Sequence, residues 1–166
     1  MTRIDPFSVP TRQVLIAAIG ILLLVGLGGC GSTPPAPPSA EVLFAGRADR
    51  GTITLRATGY GQRPEDAIRH AEENAFWTLL FRGVPGSPQA TAMVRDTPRP
   101  EDSPHAAYFD ELLAGGRYAT FLTESFTEGE PVRTQTGRRA QVTLTVNTQA
   151  LRRDLEQHGV LRQFGY

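Results

Sequence analysis

The chain has 166 residues, enough for one domain of ordinary size once an N-terminal targeting stretch is set aside. Its seventeen basic residues, all arginine, are matched by seventeen Asp and Glu, so the formal net charge is zero. A nucleic-acid binder needs a basic excess to displace counterions from phosphates, which excludes that class. A single cysteine excludes an internal disulfide framework.

Residues 1–13 carry Arg3 and Arg12, and residues 14–27, "VLIAAIGILLLVGL", form an uncharged apolar run. A basic start, an apolar middle and small residues at a cut are the layout of a secretory signal. The run is short for a membrane span, which takes about 20 residues. The residues at its end, Leu27-Gly28-Gly29-Cys30, resemble the bacterial lipobox. That resemblance implies cleavage between Gly29 and Cys30, with acyl chains carried on Cys30. Two or three such chains make a stable anchor, at about 0.8 kcal/mol per buried CH₂. Lipidation would also account for an unpaired thiol in an exporting compartment. Gly31 after the cysteine suggests the outer membrane, facing the periplasm. Removal of residues 1–29 takes away Arg3, Arg12 and Asp5, so the mature chain is close to neutral.

The expected organisation is a signal peptide over 1–29, a lipidated tether over 30–40 and a single α+β domain over 41–166. The tether, "GSTPPAPPSA" after Cys30, favours polyproline II at about 3.1 Å per residue, so Ser32 to Ser39 spans roughly 25 Å.

Within the domain, residues 51–61 alternate, with Ile53, Leu55, Ala57 and Gly59 on one face and Thr52, Thr54, Arg56 and Thr58 on the other, as in a half-buried strand. Pro64, Glu65 and Asp66 mark a helix start, because proline suits the first turn and acids suit the positive end of the dipole. The spacing predicts a helix from Pro64 to Phe81. Ala67, Ala71 and Ala75 form a small-residue stripe that lets it approach a sheet. Its second half, with Phe76, Trp77, Leu80 and Phe81, is apolar almost all round and demands cover on its far side. Residues 82–104, rich in Pro and Gly, predict a long loop as that cover.

A short helix is expected in "HAAYFDELLAG", placing Ala107, Phe109, Leu112 and Leu113 over the aromatic end of the first. Residues 117–126 and 138–147 read as strands joined by a hairpin turning near Gly137. A final helix over 148–159 has Leu151 and Leu155 one turn apart and Gly159 at its stop. The expected fold class is α+β, in the order strand, helix, strand, strand, helix, with an antiparallel hairpin sheet packed on a helix and a long loop insertion.

"ATGYGQRPEDAIRHAEENA", "LLFRGVPGS" and the ending "LRRDLEQHGVLRQFGY" resemble small bacterial envelope lipoproteins related to the N-terminal domain of flagellar assembly protein T. The likeness covers roughly residues 51–82 and 117–166, and its motifs are structural. It implies a scaffold or binding role in the envelope and carries over no catalytic residue. The long insertion departs from the compact pattern of that family.

Candidate chemistry is sparse. Gly59-Tyr60-Gly61 before a helix suggests a phosphate cradle, but Pro64 stands where the dinucleotide pattern needs its third glycine, and no Walker lysine exists in a chain without lysine. His70, His105 and His158 fit no metal-ligand spacing. Ser87 lacks the Gly-x-Ser-x-Gly elbow, and the neighbours Glu72 and Glu73 point apart as solvated helix surface. Arg138-Arg139 and Arg152-Arg153 could meet lipid headgroups, with ordinary surface ion pairs the blander reading.

No cofactor, metal or catalytic residue is therefore expected. The candidate partner-binding residues are Phe76, Trp77, Phe81, Tyr108 and Phe109, weighed against burial of the same cluster beneath residues 83–116. The expected function is a non-enzymatic, lipid-anchored binding or scaffold module with an envelope protein partner. The alternatives are a regulatory lipoprotein of a cell-wall synthase or secretion machine, and a small hydrolase.

Overall fold

The alternation that predicts a strand at residues 51–61 arises because, among the described residues, a helix covers one face of that segment and nothing covers the other. The computed structural model describes residues 42–49, 51–95 and 100–162. The signal-like stretch, the cleavage site at Gly29 and Cys30, and the proline-rich segment lie outside the described residues.

In chain order the elements are β1 (Val42–Asp49), β2 (Thr52–Gly61), α1 (Pro64–Phe81), a 3-10 turn (Pro100–Asp102), α2 (Ala106–Leu112), a 3-10 helix (Arg117–Phe121), β3 (Leu122–Thr127), β4 (Val132–Thr134), β5 (Gly137–Asn147) and α3 (Thr148–Gln157). The fold is α+β: an open antiparallel sheet packed against helices. Its strand order is β1-β2-β5-β3, with β4 also on β5. The central pair, β2 and β5, runs in unbroken register from Thr52 opposite Asn147 to Gly61 opposite Arg138.

Ile53, Leu55 and Ala57 of β2 and Ala140, Val142, Leu144 and Val146 of β5 all point to the helical side and are buried. Across them lies α1, with Ala67, Ala71, Ala75, Phe76, Leu79 and Leu80 buried. The alanine stripe and the glycines of β2 bring helix and strand together, since a Cβ on Gly59 or Gly61 would run into the backbone of α1 near Ala67. Each large side chain buried here contributes about 1.5–3 kcal/mol. At the helix start, the Asp66 carboxylate accepts the Arg63 backbone N–H at 3.3 Å.

The far side of α1 is covered by the segment that follows it, as expected. The last carbonyls of a helix lack intrahelical partners. Here Thr78 O accepts the N–H groups of Arg82 and Gly83, Leu79 O accepts Met93 N–H at 3.1 Å, and Leu80 O accepts Val94 N–H at 2.8 Å. Val84, Met93 and Val94 are themselves buried in the core. Gly83 turns the chain with φ 81°, and a side chain there would strike Ala90 and Thr91. Residues 82–94 thus cover the helix end and bond its last carbonyls.

Four expectations need correcting. The order of elements is richer than strand, helix, strand, strand, helix, because β1 and β4 add to it and the short helix expected in "HAAYFDELLAG" is present as α2. β1 escapes the alternation test because its pairing with β2 shifts between Phe44 and Ala48, where Gly46 takes φ 77°. Residues 117–121 are a 3-10 helix rather than strand. Tyr118 and Phe121, three residues apart, are both buried, which suits three residues per turn. The turn expected near Gly137 is real, but it joins β4 to β5, with Thr134 opposite Gly137, and β3 pairs further along β5. In α2, Phe109 and Leu112 are buried as expected, whereas Ala107 is exposed.

α3 begins at a side-chain cap: Asn147 Oδ1 accepts the Ala150 N–H at 2.8 Å. Gly51 O accepts the Thr148 hydroxyl at 2.8 Å, which ties α3 to the turn between β1 and β2. Leu151 and Leu155 are fully buried and Gly159 follows with φ 70°.

Candidate functional site

The aromatic residues singled out in the sequence do come together, in a chain of ring contacts across α1 and α2. Trp77 lies 5.6 Å from Phe81, Phe81 meets Phe109 edge-on at 5.1 Å, and Phe109 meets Tyr108 edge-on at 5.4 Å. Such offset and edge contacts are the favoured geometry of aromatic pairs. Phe76 stacks separately on Tyr118 at 5.2 Å. Phe76 and Phe109 are buried and serve the core, and Phe81 and Tyr108 are half-buried against it. Trp77 is half-buried and lines a groove of about 450 Å³ with Ala106, Ala107, Phe109 and Leu113. The Arg82 guanidinium lies 4.9 Å over its ring.

At the other end of this chain is a polar cluster that the sequence did not reveal. The Asp154 carboxylate on α3 accepts the Tyr108 hydroxyl at 2.6 Å and the Arg117 guanidinium in a bidentate pair at 3.1 Å. The same guanidinium sits 5.0 Å over the Tyr108 ring. The His158 ring packs 4.9 Å from the other side of the network, against Tyr108, and its Nδ1 lies 2.8 Å from the Asp154 carbonyl. Arg117 Nε is buried 3.4 Å from Glu111 without hydrogen-bond alignment.

Burial raises the Tyr108 hydroxyl well above its ordinary pKa, and the bond to Asp154 adds to this. Burial also works against the charged form of Asp154, but the hydrogen bonds from Arg117 and Tyr108 outweigh it and hold the carboxyl below its usual range. The phenol therefore stays protonated and donates while the carboxylate stays charged. The Tyr108 hydroxyl and the terminal nitrogens of Arg117 are both spent on Asp154, so the cluster is built as a clamp between α2, the 3-10 helix and α3.

The remaining candidates are accounted for by structure. Gly59 and Gly61 admit the backbone of α1, not a phosphate. Ser87 Oγ donates to Val84 O at 2.7 Å and accepts the Gln89 N–H at 3.1 Å, a turn residue. His70 Nδ1 lies 3.1 Å from the Tyr60 N–H and 3.0 Å from its carbonyl. Among the described residues no histidine ring shares a hydrogen bond with a serine or threonine hydroxyl, and no cluster of His, Cys, Asp or Glu could hold a metal ion.

Glu73 pairs with Arg69 at 2.9 Å on the helix surface. Glu72 departs from expectation: it is half-buried and accepts the Tyr118 hydroxyl at 3.2 Å and the Ser125 hydroxyl at 2.6 Å, tying α1 to β3. Nor do Arg138, Arg139, Arg152 and Arg153 form the surface ion pairs anticipated, since none reaches a described acid.

Among the described residues no helix is long and apolar enough to cross a membrane. No family model, curated protein or solved structure matches the chain.

Proposed function

We propose that the protein is a lipid-anchored lipoprotein of the bacterial envelope that acts by binding rather than by catalysis. The observation carrying this reading is the N-terminal pattern, an apolar run over 14–27 ending in Leu-Gly-Gly-Cys30 and followed at once by a proline-rich stretch. The scaffold role suggested by the likeness to envelope lipoproteins is part of the proposal. It is supported by a polar cluster in which Tyr108 and Arg117 are both bound to Asp154 and by an aromatic cluster given over largely to the core. In this reading the domain is held within a short reach of the bilayer, because eight tether residues extend only about 25 Å.

The test is metabolic labelling with palmitate and membrane fractionation of the full chain in a Gram-negative host. The wild type takes up label and sediments with membranes, while Cys30→Ser loses the label and remains uncleaved or becomes soluble. Recovery of an unlabelled wild type, or of Cys30→Ser in the same membrane fraction after alkaline extraction, would overturn the anchor. Crosslinking of the anchored wild type on intact envelopes then asks for its partner.

A further inference from the structure

The helices cover one face of the sheet, and the described residues place no element on the other. All four large apolar side chains that stand exposed in the described chain lie on that uncovered face: Leu43, Tyr60, Phe126 and Val132, exposed by 60, 42, 51 and 56%. The register assigns each to a row across the sheet. One row runs Leu43, Arg56, Thr143, Phe126, and another runs Tyr60, Arg139, Val132. Single exposed apolar residues are ordinary, but all four on one face of one sheet mark a contact surface.

The charges on this face are arranged unevenly. At its centre Arg56 Nε binds Glu128 Oε1 at 2.8 Å, and the Thr143 hydroxyl donates to the same oxygen. Those two bonds hold the Glu128 carboxyl below its ordinary range. The centre can therefore be covered without leaving a charge unpaired. Two charges remain without an ionic partner among the described residues, Arg139 at one end of the face and Glu124 at the other. Glu124 lies opposite Thr145, six residues along β5 from Arg139, or about 20 Å.

We propose that this face joins two copies of the chain, sheet on sheet, about a two-fold axis parallel to the strand-to-strand direction, with Arg139 of each copy meeting Glu124 of the other. Such an axis reverses the strands and lays the row of Arg139 over the row of Thr145 and Glu124, whereas an axis along the strands would set Arg139 against its own mate. Stacked sheets lie about 10 Å apart and cross at about 30°, which brings the arginine over the neighbouring strand that carries Glu124. A face four strands wide and eight residue steps long amounts to roughly 500 Å² per copy, about 1,000 Å² in all, the low end for a specific interface. Association is accordingly weak and concentration-dependent. The inference goes beyond the anchor reading and does not rest on it.

Sedimentation velocity of the full chain in density-matched non-ionic detergent, over a wide concentration range, tests it together with Arg139→Glu, Glu124→Arg and the double variant. Both residues are exposed, so folding is checked by circular dichroism and is expected to be unchanged. The wild type should pass from monomer to dimer. Each single reversal places like charges together at both symmetric contacts and should weaken dimerisation at least about tenfold. The double variant should return to within about threefold of wild type. A wild type that is monomeric at every concentration, single reversals without effect, or a double variant as weak as the singles would each overturn the proposal. A monomer that instead captures a different envelope protein on this face would count against it equally.

Discussion

Asp154 shows how a single carboxylate can hold three elements whose residues lie far apart in the chain. Its partners Tyr108 and Arg117 are 46 and 37 residues away, so no spacing rule could have joined them, although each residue type was in plain view. Replacing Asp154 by Asn removes the charge facing Arg117 and should cost about 1–3 kcal/mol near neutral pH, measured by urea denaturation. The folded carboxyl is held below its unfolded value, so its contribution is present above the unfolded pKa, about 3.9, and is lost as the pH falls through the lower folded value. The difference between wild type and Asp154→Asn should narrow across that window, and a constant difference down to strongly acid pH would refute the ionic origin. Gly59 makes a second residue-scale claim. Its lack of a Cβ lets Ala67 and Ala71 touch β2, so Gly59→Ala should destabilise by about 1–3 kcal/mol through overpacking. A variant as stable as wild type would mean that the helix can shift at no cost.

Elements with a strong period were legible, and elements defined by contact were not. The start signal and the alanine stripe mark α1 at Pro64–Phe81, and simple alternation marks the inward faces of β2 and β5. Residues 117–126 read as one strand in the sequence, and only the burial of both Tyr118 and Phe121 sets the three-residue period of the 3-10 helix at Arg117–Phe121. The segment after α1 was recognised as a loop, but not as the partner of the last helix carbonyls. That role depends on Met93 and Val94 returning to Leu79 and Leu80, each fourteen positions earlier in the chain. Two consequences can be measured. The amides of Met93 and Val94 should be protected from hydrogen exchange far more than their exposed neighbours Thr91 and Arg95. Met93→Ala should cost about 2–3 kcal/mol by opening a space in the core. Unprotected amides at these two positions would show the segment to be a surface strap that the helix end does without.

At the scale of the domain, the governing feature is a sheet with two central strands and, among the described residues, one covered face. β2 is hydrogen-bonded on both sides by β1 and β5, and β5 by β2 and by β3 and β4. β1 and β3 are edges, and each has a break in its register, between Phe44 and Ala48 in one and between Leu122 and Glu124 in the other. Such irregularities deter unwanted edge pairing. The least costly openings of the fold should therefore peel the edges while β2 and β5 stay paired under α1. Amides of Leu55, Ala57, Val142 and Leu144 should exchange only through global unfolding, with free energies that follow the urea-derived stability of each variant. Amides of β1 should exchange through smaller openings that Asp154→Asn leaves unchanged. Equal protection across all strands would indicate a sheet that opens as one unit, and the edge bulges would then have no separate dynamic role. Sheet-on-sheet association gives a further discriminating sign. Because it covers a face and adds no strand, it should raise protection in β2 and β5 only as far as it raises global stability, and should leave the edge amides of β1 as labile as before.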